Sequence, residues 1–148
     1  MRRPLHILAV SAFVFTLLGS EGWRLVPAAS SAEPVRPVQA TIRDRGAGGV
    51  TVTATWQGFR DGAVAFRLSL DTHSVDLSGF DVLAHVGLRA GAGAELRPLR
   101  WEEERSSSHH RTGVLYFPVP NPLPDRLALV VRDLAGVAER VLAFEFGN

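Results

Sequence analysis

The chain has 148 residues, room for one domain, and is 46% hydrophobic and 21% charged. That balance argues against disorder, collagen-like repeats and coiled coils. Cysteine and lysine are both absent and the net charge is +1, which removes disulfides, thiol nucleophiles, haem attachment through CxxCH, Schiff-base lysines and the P-loop lysine.

Arg2 and Arg3 precede a run of 15 mostly apolar residues, Leu5 to Gly19. A charged start followed by a short apolar run has the form of a secretory signal peptide. The run is shorter than the ~20 apolar residues of a spanning helix, and Glu21 and Arg24 follow it closely. Ser30 and Ala32 supply small residues for cleavage before Glu33. An uncleaved signal anchor is the alternative. The paired arginines lack the rest of a twin-arginine motif, and without cysteine the chain cannot be a lipoprotein. Residues 1–32 are therefore expected to direct export, giving a periplasmic, extracellular or outward-facing anchored protein.

Arg2, Arg3 and Arg24 stand against Glu21 in that segment. Residues 33–148 consequently carry thirteen arginines against fourteen acids, a net charge of −1. Nearly neutral charge lacks the drive for nucleic-acid binding, so no nucleic-acid partner is expected.

Glu33 to Val38 contains two prolines and reads as an extended linker, with residues 33–45 forming linker or first strand. Val50 to Trp56 alternates apolar and hydroxyl residues, which predicts a strand with Val50, Val52, Ala54 and Trp56 on one face. Asp61-Gly62 suits a tight hairpin turn, and Val64, Phe66, Leu68 and Leu70 repeat the pattern. Further strands are expected over 82–88, 95–101, 113–117, 127–132 and 140–146, with Leu142, Phe144 and Phe146 sharing one face. Turn-forming residues at 71–80, 91–93, 106–108, 118–124 and 133–136 separate them. About seven short strands without an amphipathic helix predict an antiparallel β-sandwich over 46–148. Trp56, Trp101, Phe66 and Phe144 are its expected core aromatics.

The segment Val131-Arg-Asp-Leu-Ala-Gly-Val-Ala-Glu-Arg140 resembles the final hairpin of bacterial immunoglobulin-like modules, in which a strand ends in Asp-x-Ala-Gly. Val137 stands where those modules carry asparagine. Together with Asp71 to Leu77 and Ser108 to Gly113, this hairpin is similar to blocks of a family of uncharacterised exported bacterial proteins. The resemblance implies an immunoglobulin-like sandwich and no particular activity.

Two polar segments offer chemistry. Asp71-Thr-His-Ser-Val-Asp76 joins carboxylates to the imidazole of His73, donors that suit zinc or copper. The EF-hand spacing is missing, and Asp, Thr and Ser equally cap turns by accepting from backbone N–H groups. His109 and His110 point to opposite faces if extended, so either would join His73 only where the loops meet. Asp71, His73, Asp76, His109 and His110 are thus the metal candidates, whereas His85 reads as a mid-strand residue. No Gly-x-Ser-x-Gly elbow occurs. Glu102-Glu103-Glu104, between Arg100 and Arg105, reads as a solvated loop rather than as the paired carboxylates of a glycosidase. The expected function is an exported, non-catalytic binding or accessory domain of the cell envelope, with no cofactor and with an envelope protein or small ligand as partner. A transition-metal-binding protein using the His and Asp loops is the alternative.

Overall fold

A computed structural model describes residues 34–147, and the expected export segment lies outside them. Among the described residues nine strands, rather than the expected seven or so, form two antiparallel sheets, because a short first strand (Thr41–Asp44) adds to one edge and the 95–101 segment divides in two. The strands are β1 (Thr41–Asp44), β2 (Val50–Arg60), β3 (Ala63–Thr72), β4 (Val86–Ala90), β5 (Glu95–Leu96), β6 (Arg100–Ser106), β7 (His110–Pro118), β8 (Arg126–Leu134) and β9 (Val137–Glu145). One sheet runs β1-β2-β3-β7-β6 and the other β5-β4-β8-β9. Among the described residues, no helix is long and apolar enough to cross a membrane.

Period-two alternation determines what is buried. Val50, Val52, Ala54 and Trp56 face inward with Val64, Phe66, Leu68 and Leu70, and Leu142, Phe144 and Phe146 meet them from the second sheet. The threonines between the β2 core residues are half-buried on the outer side. Asp61 and Gly62 both take positive φ, 51° and 72°. That is the backbone a two-residue hairpin needs to follow strand twist. The β8–β9 hairpin turns in the same way on Ala135 and Gly136, at φ 52° and 75°.

Three expectations are corrected. The strand expected over 82–88 begins instead as one helical turn, α1 (Val82–His85), before β4. Asp81 causes this: its Oδ1 accepts from the N–H groups of Leu83 and Ala84 at 3.0 and 3.2 Å, a side-chain N-cap. His85 therefore closes a helical turn, stacked on Phe80 with ring centroids 5.3 Å apart, rather than sitting mid-strand. The single strand expected over 95–101 is two, β5 and β6, in different sheets. Pro98 lies between them and has no N–H to give to a ladder. The acids 102–104 lie on β6, an edge strand, and not in a loop. Trp101 is half-buried at the margin of the core, where its ring lies over Gly113. A Cβ at position 113 would sit 2.7 and 2.8 Å from two of its ring carbons.

Glycine has a second structural use on the outer face of the four-stranded sheet. The Glu95 side chain lies across Gly87, where an added Cβ would come within 2.6 Å of its carboxyl carbon. This crossing lets Glu95 receive both guanidinium nitrogens of Arg132, at 2.5 and 2.6 Å. These hydrogen bonds, helped by the nearby charges of Arg132, Arg89 and Arg97, lower the Glu95 pKa against the opposing effect of burial. A carboxylate held below its unfolded value stabilises the fold above that value. The contribution is lost as pH falls below about 4.3, where a free glutamate takes up its proton. Glu95→Gln should therefore flatten the acid limb of a stability–pH curve and lower the denaturation midpoint at pH 7. Urea midpoints measured from pH 7 to 3 on both proteins test this. Parallel curves would mean that the Arg132 pair adds nothing on folding.

Candidate functional site

The polar segments singled out in the sequence meet at one end of the five-stranded sheet. Thr72 N–H donates to the His109 carbonyl at 3.0 Å, and Leu77 N–H to the Ser108 carbonyl at 2.7 Å. Asp71 and His110 are cross-strand partners on β3 and β7, with His110 Nδ1 3.0 Å from Asp71 Oδ1. Asp76 Oδ1 accepts from the hydroxyl and backbone N–H of Ser78, at 2.6 and 2.9 Å. Those bonds, with a smaller contribution from the charge of His109, lower the Asp76 pKa. His73 is exposed on the turn after β3.

Convergence of the loops does not produce a coordination shell. Among the described residues, no group of three or more His, Cys, Asp or Glu side chains is placed to hold a metal ion. The five candidates stand instead as the pair Asp71 and His110, the turn carboxylate Asp76 with His109 near it, and His73. Ser69 adds a hydroxyl, but it donates to Asp71 Oδ2 at 3.0 Å. In a Ser-His-Asp triad the serine bonds the imidazole and the carboxylate lies behind it. Here the carboxylate stands between serine and histidine, which is not the order of that triad.

Thr72 and Arg111 explain why this end is polar. Thr72 Oγ1 donates to the Gly49 carbonyl at 2.8 Å and accepts from Ser74 and Val75 N–H at 3.2 Å each. Arg111 is buried; it donates to the Leu77 and Phe80 carbonyls, and its Nε lies 2.7 Å from Glu103 Oε1. Buried backbone carbonyls need such donors. The three consecutive acids are likewise divided among three arginines: Glu102 with Arg100, Glu103 with Arg111 and Glu104 with Arg67. Tyr116 also donates its hydroxyl to Glu102, at 2.9 Å. Carboxylates divided in this way do not face one another across a substrate.

A different feature has the form of a binding site. β1 pairs with β2 as far as Thr41 opposite Thr55, and Trp56 N–H donates to the Ala40 carbonyl at 2.8 Å. Upstream of that point the chain crosses to the other sheet, where Val38 N–H donates to the Glu145 carbonyl at 2.8 Å and Pro37 bridges to Phe146. Gly58, Phe59 and Arg60 pair with β3 on one side. Among the described residues, no strand pairs with them on the other.

The divergence opens a groove of about 690 Å³ between residues 34–37 and the end of β2. Its apolar wall includes Val35, Pro37, Trp56 and Phe59. Volumes of about 300–1,000 Å³ are usual for ligand pockets. Phe59 is 45% exposed, and its ring meets the edge of Trp56 at 5.6 Å. Trp56 in turn packs on Phe66 and Phe146 at 5.2 and 5.1 Å, so the wall rests on the core. A bulge between Trp56 and Gly58, with Gly58 at φ 85°, turns Phe59 out of the alternating pattern.

The sequence reading missed this groove because residues 33–38 looked like a plain linker. The signal was present at Gly58-Phe59: a glycine interrupting a strand marks a bulge, and Phe59 is a large apolar residue on the outward phase. Comparison with protein-family models, with curated proteins and with solved structures finds no match to this chain.

Proposed function

We propose that this protein is an exported, non-catalytic binding module of the cell envelope whose ligand seats in the groove between residues 34–37 and the end of β2. The observation that carries the reading is the pairing of an apolar groove with a half-strand that, among the described residues, has a neighbour on one side alone. Apolar surface and free backbone groups together are what a docked chain or ligand covers. The leader of charged start, apolar run and small residues supports export. The strand order supports the immunoglobulin-like reading: β2-β3-β7-β6 follows the order A-B-E-D, and β4-β8-β9 follows C-F-G. β5 then takes the added edge position beside C, and β1 extends the first sheet.

Position-specific photocrosslinking in the cells that make the protein tests the reading. A benzophenone amino acid in place of Phe59 should give a discrete crosslinked adduct on the exported, processed chain. The same group at Leu99 or Val141, which are 59% and 46% exposed, should not. An adduct pattern identical at all three positions would overturn the assignment of the groove. A chain that stays in the cytoplasm would overturn the envelope role.

A further inference from the structure

We infer that the groove takes an extended peptide with an apolar centre and acidic flanks, laid as an added strand along Gln57–Arg60. The inference rests on the groove being the binding site and adds the chemical class of its ligand. Two observations select this occupant.

The first is the backbone. Among the described residues, no strand lies beyond Trp56 along the edge of β2 that β1 covered. An added strand satisfies such groups by main-chain hydrogen bonds, while pockets beside it read side chains. An acyl chain has nothing to give them. Four residues before the turn at Asp61 offer about 13 Å of edge, at ~3.3 Å per residue. The contact is therefore short, and side chains must supply much of the affinity.

The second is charge. Among the described residues, the charged ones lining the groove are Arg36 and Arg60, and none of those lining residues is a carboxylate. Neither is ion-paired among the described residues, although seven arginines elsewhere are. Arg60 donates one N–H to Gln57 Oε1 at 3.0 Å. Arg43, Arg45, Arg97 and Arg105 also lack an ion pair among the described residues. Arg36 and Arg60, however, are the two guanidinium groups beside this apolar wall, where they favour carboxylates on the ligand. Phe59 and Trp56 offer the apolar anchor between them.

Heptapeptide libraries test the inference on the protein purified at its natural length. One library carries three central positions drawn from Val, Ile, Leu, Phe, Tyr and Trp, flanked by two acidic residues on each side. The matched library carries lysine in place of the acids. The acidic library should yield saturable binders at least tenfold tighter than their lysine counterparts, and the preference should shrink as salt rises. Bound peptide should slow hydrogen exchange at the amides of Gln57–Arg60. Arg36→Gln with Arg60→Gln should remove the acidic preference, and Phe59→Ala should weaken binding of both libraries.

Equal binding of the two libraries, or an acidic preference that survives the double arginine variant, overturns the inference. Decanoate bound at Phe59 while both libraries fail would assign the groove to lipid. Concentration-dependent self-association relieved by Phe59→Ala, with both libraries failing, would assign it to a second copy. In either case a crosslink at Phe59 would still stand, so failure of the peptide class is distinguishable from failure of the groove itself.

Discussion

Phe66→Ala is expected to destabilise the domain by about 3–5 kcal/mol, the usual loss for a large aromatic deleted from a packed core. Phe66 is fully buried on β3. Its ring lies 5.2 Å from Trp56, 6.2 Å from Phe117 and 5.0 Å from Phe144. Trp56 and Phe117 belong to its own sheet and Phe144 to the other, so the side chain holds the two layers together. Deleting it leaves a space bordered by three rigid rings, which close a cavity poorly. Domains are stable by about 5–15 kcal/mol in total, so the variant should be partly unfolded at ambient temperature or show a much lower urea midpoint. Phe146→Ala should cost less, because Phe146 lies past the end of β9 and is 9% exposed. Equal losses at the two positions would mean that the cavity at 66 collapses, and a parent-like midpoint for Phe66→Ala would contradict the inward register of β3.

The aromatic core was legible because it depends on period two alone. Val50 to Trp56, Val64 to Leu70 and Leu142 to Phe146 each state their buried face in the order of residues, and Asp61-Gly62 states the turn between two of them. What was hidden depends on contacts between distant segments. Asp81 turns residues 82–85 into a helical turn by capping the N–H groups of Leu83 and Ala84, a choice that four residues leading into a strand are too few to announce by periodicity. The crossing of residues 37–38 to β9, which opens the groove, is a property of topology and has no local signature. For the five metal candidates the residue types were legible and their neighbours were not. Their residue types suit coordination, yet Asp76 is occupied by Ser78 and Asp71 is shared between Ser69 and His110.

Buried arginine is the sharpest case, because composition assigns arginine to the surface. Both Arg111 and Arg140 occupy the inward phase of their strands, in step with Leu115 and Phe117 in β7 and with Leu142 and Phe144 in β9. An arginine on the apolar phase near the start of a strand reaches beyond the sheet with its guanidinium while its stem stays in the core. Arg111 then donates to the Leu77 and Phe80 carbonyls, and Arg140 to those of Leu134 and Ala47. The phase was readable, but the carbonyls it serves were not.

Arg140→Met is therefore expected to cost about 3–5 kcal/mol, because it removes two hydrogen bonds from a charged donor, each worth about 1.5–3 kcal/mol. The Arg140 side chain is 2% exposed. It donates to the Leu134 carbonyl at 2.9 Å and the Ala47 carbonyl at 2.6 Å, tying the β8–β9 hairpin to the glycine-rich turn after β1. Its Nε lies 3.0 Å from Asp44 Oδ2 without the alignment of a hydrogen bond, so that contact acts through charge. Burial lowers the Arg140 pKa and Asp44 opposes it, but an arginine starts so far above neutrality that it stays charged. Methionine keeps the apolar stem and removes both charge-assisted bonds, while the Ala47 carbonyl retains the N–H of Val50. Asp44→Asn should cost less, because Asp44 is 31% exposed and the carbonyls still hold the guanidinium. Arg140→Lys should recover little, since one ammonium does not span acceptors on two loops. Urea midpoints for the three variants, completed by the double variant of Arg140→Met with Asp44→Asn, separate the contributions. If Asp44→Asn costs as much as Arg140→Met, the ion pair and not the carbonyl staple holds this corner of the fold.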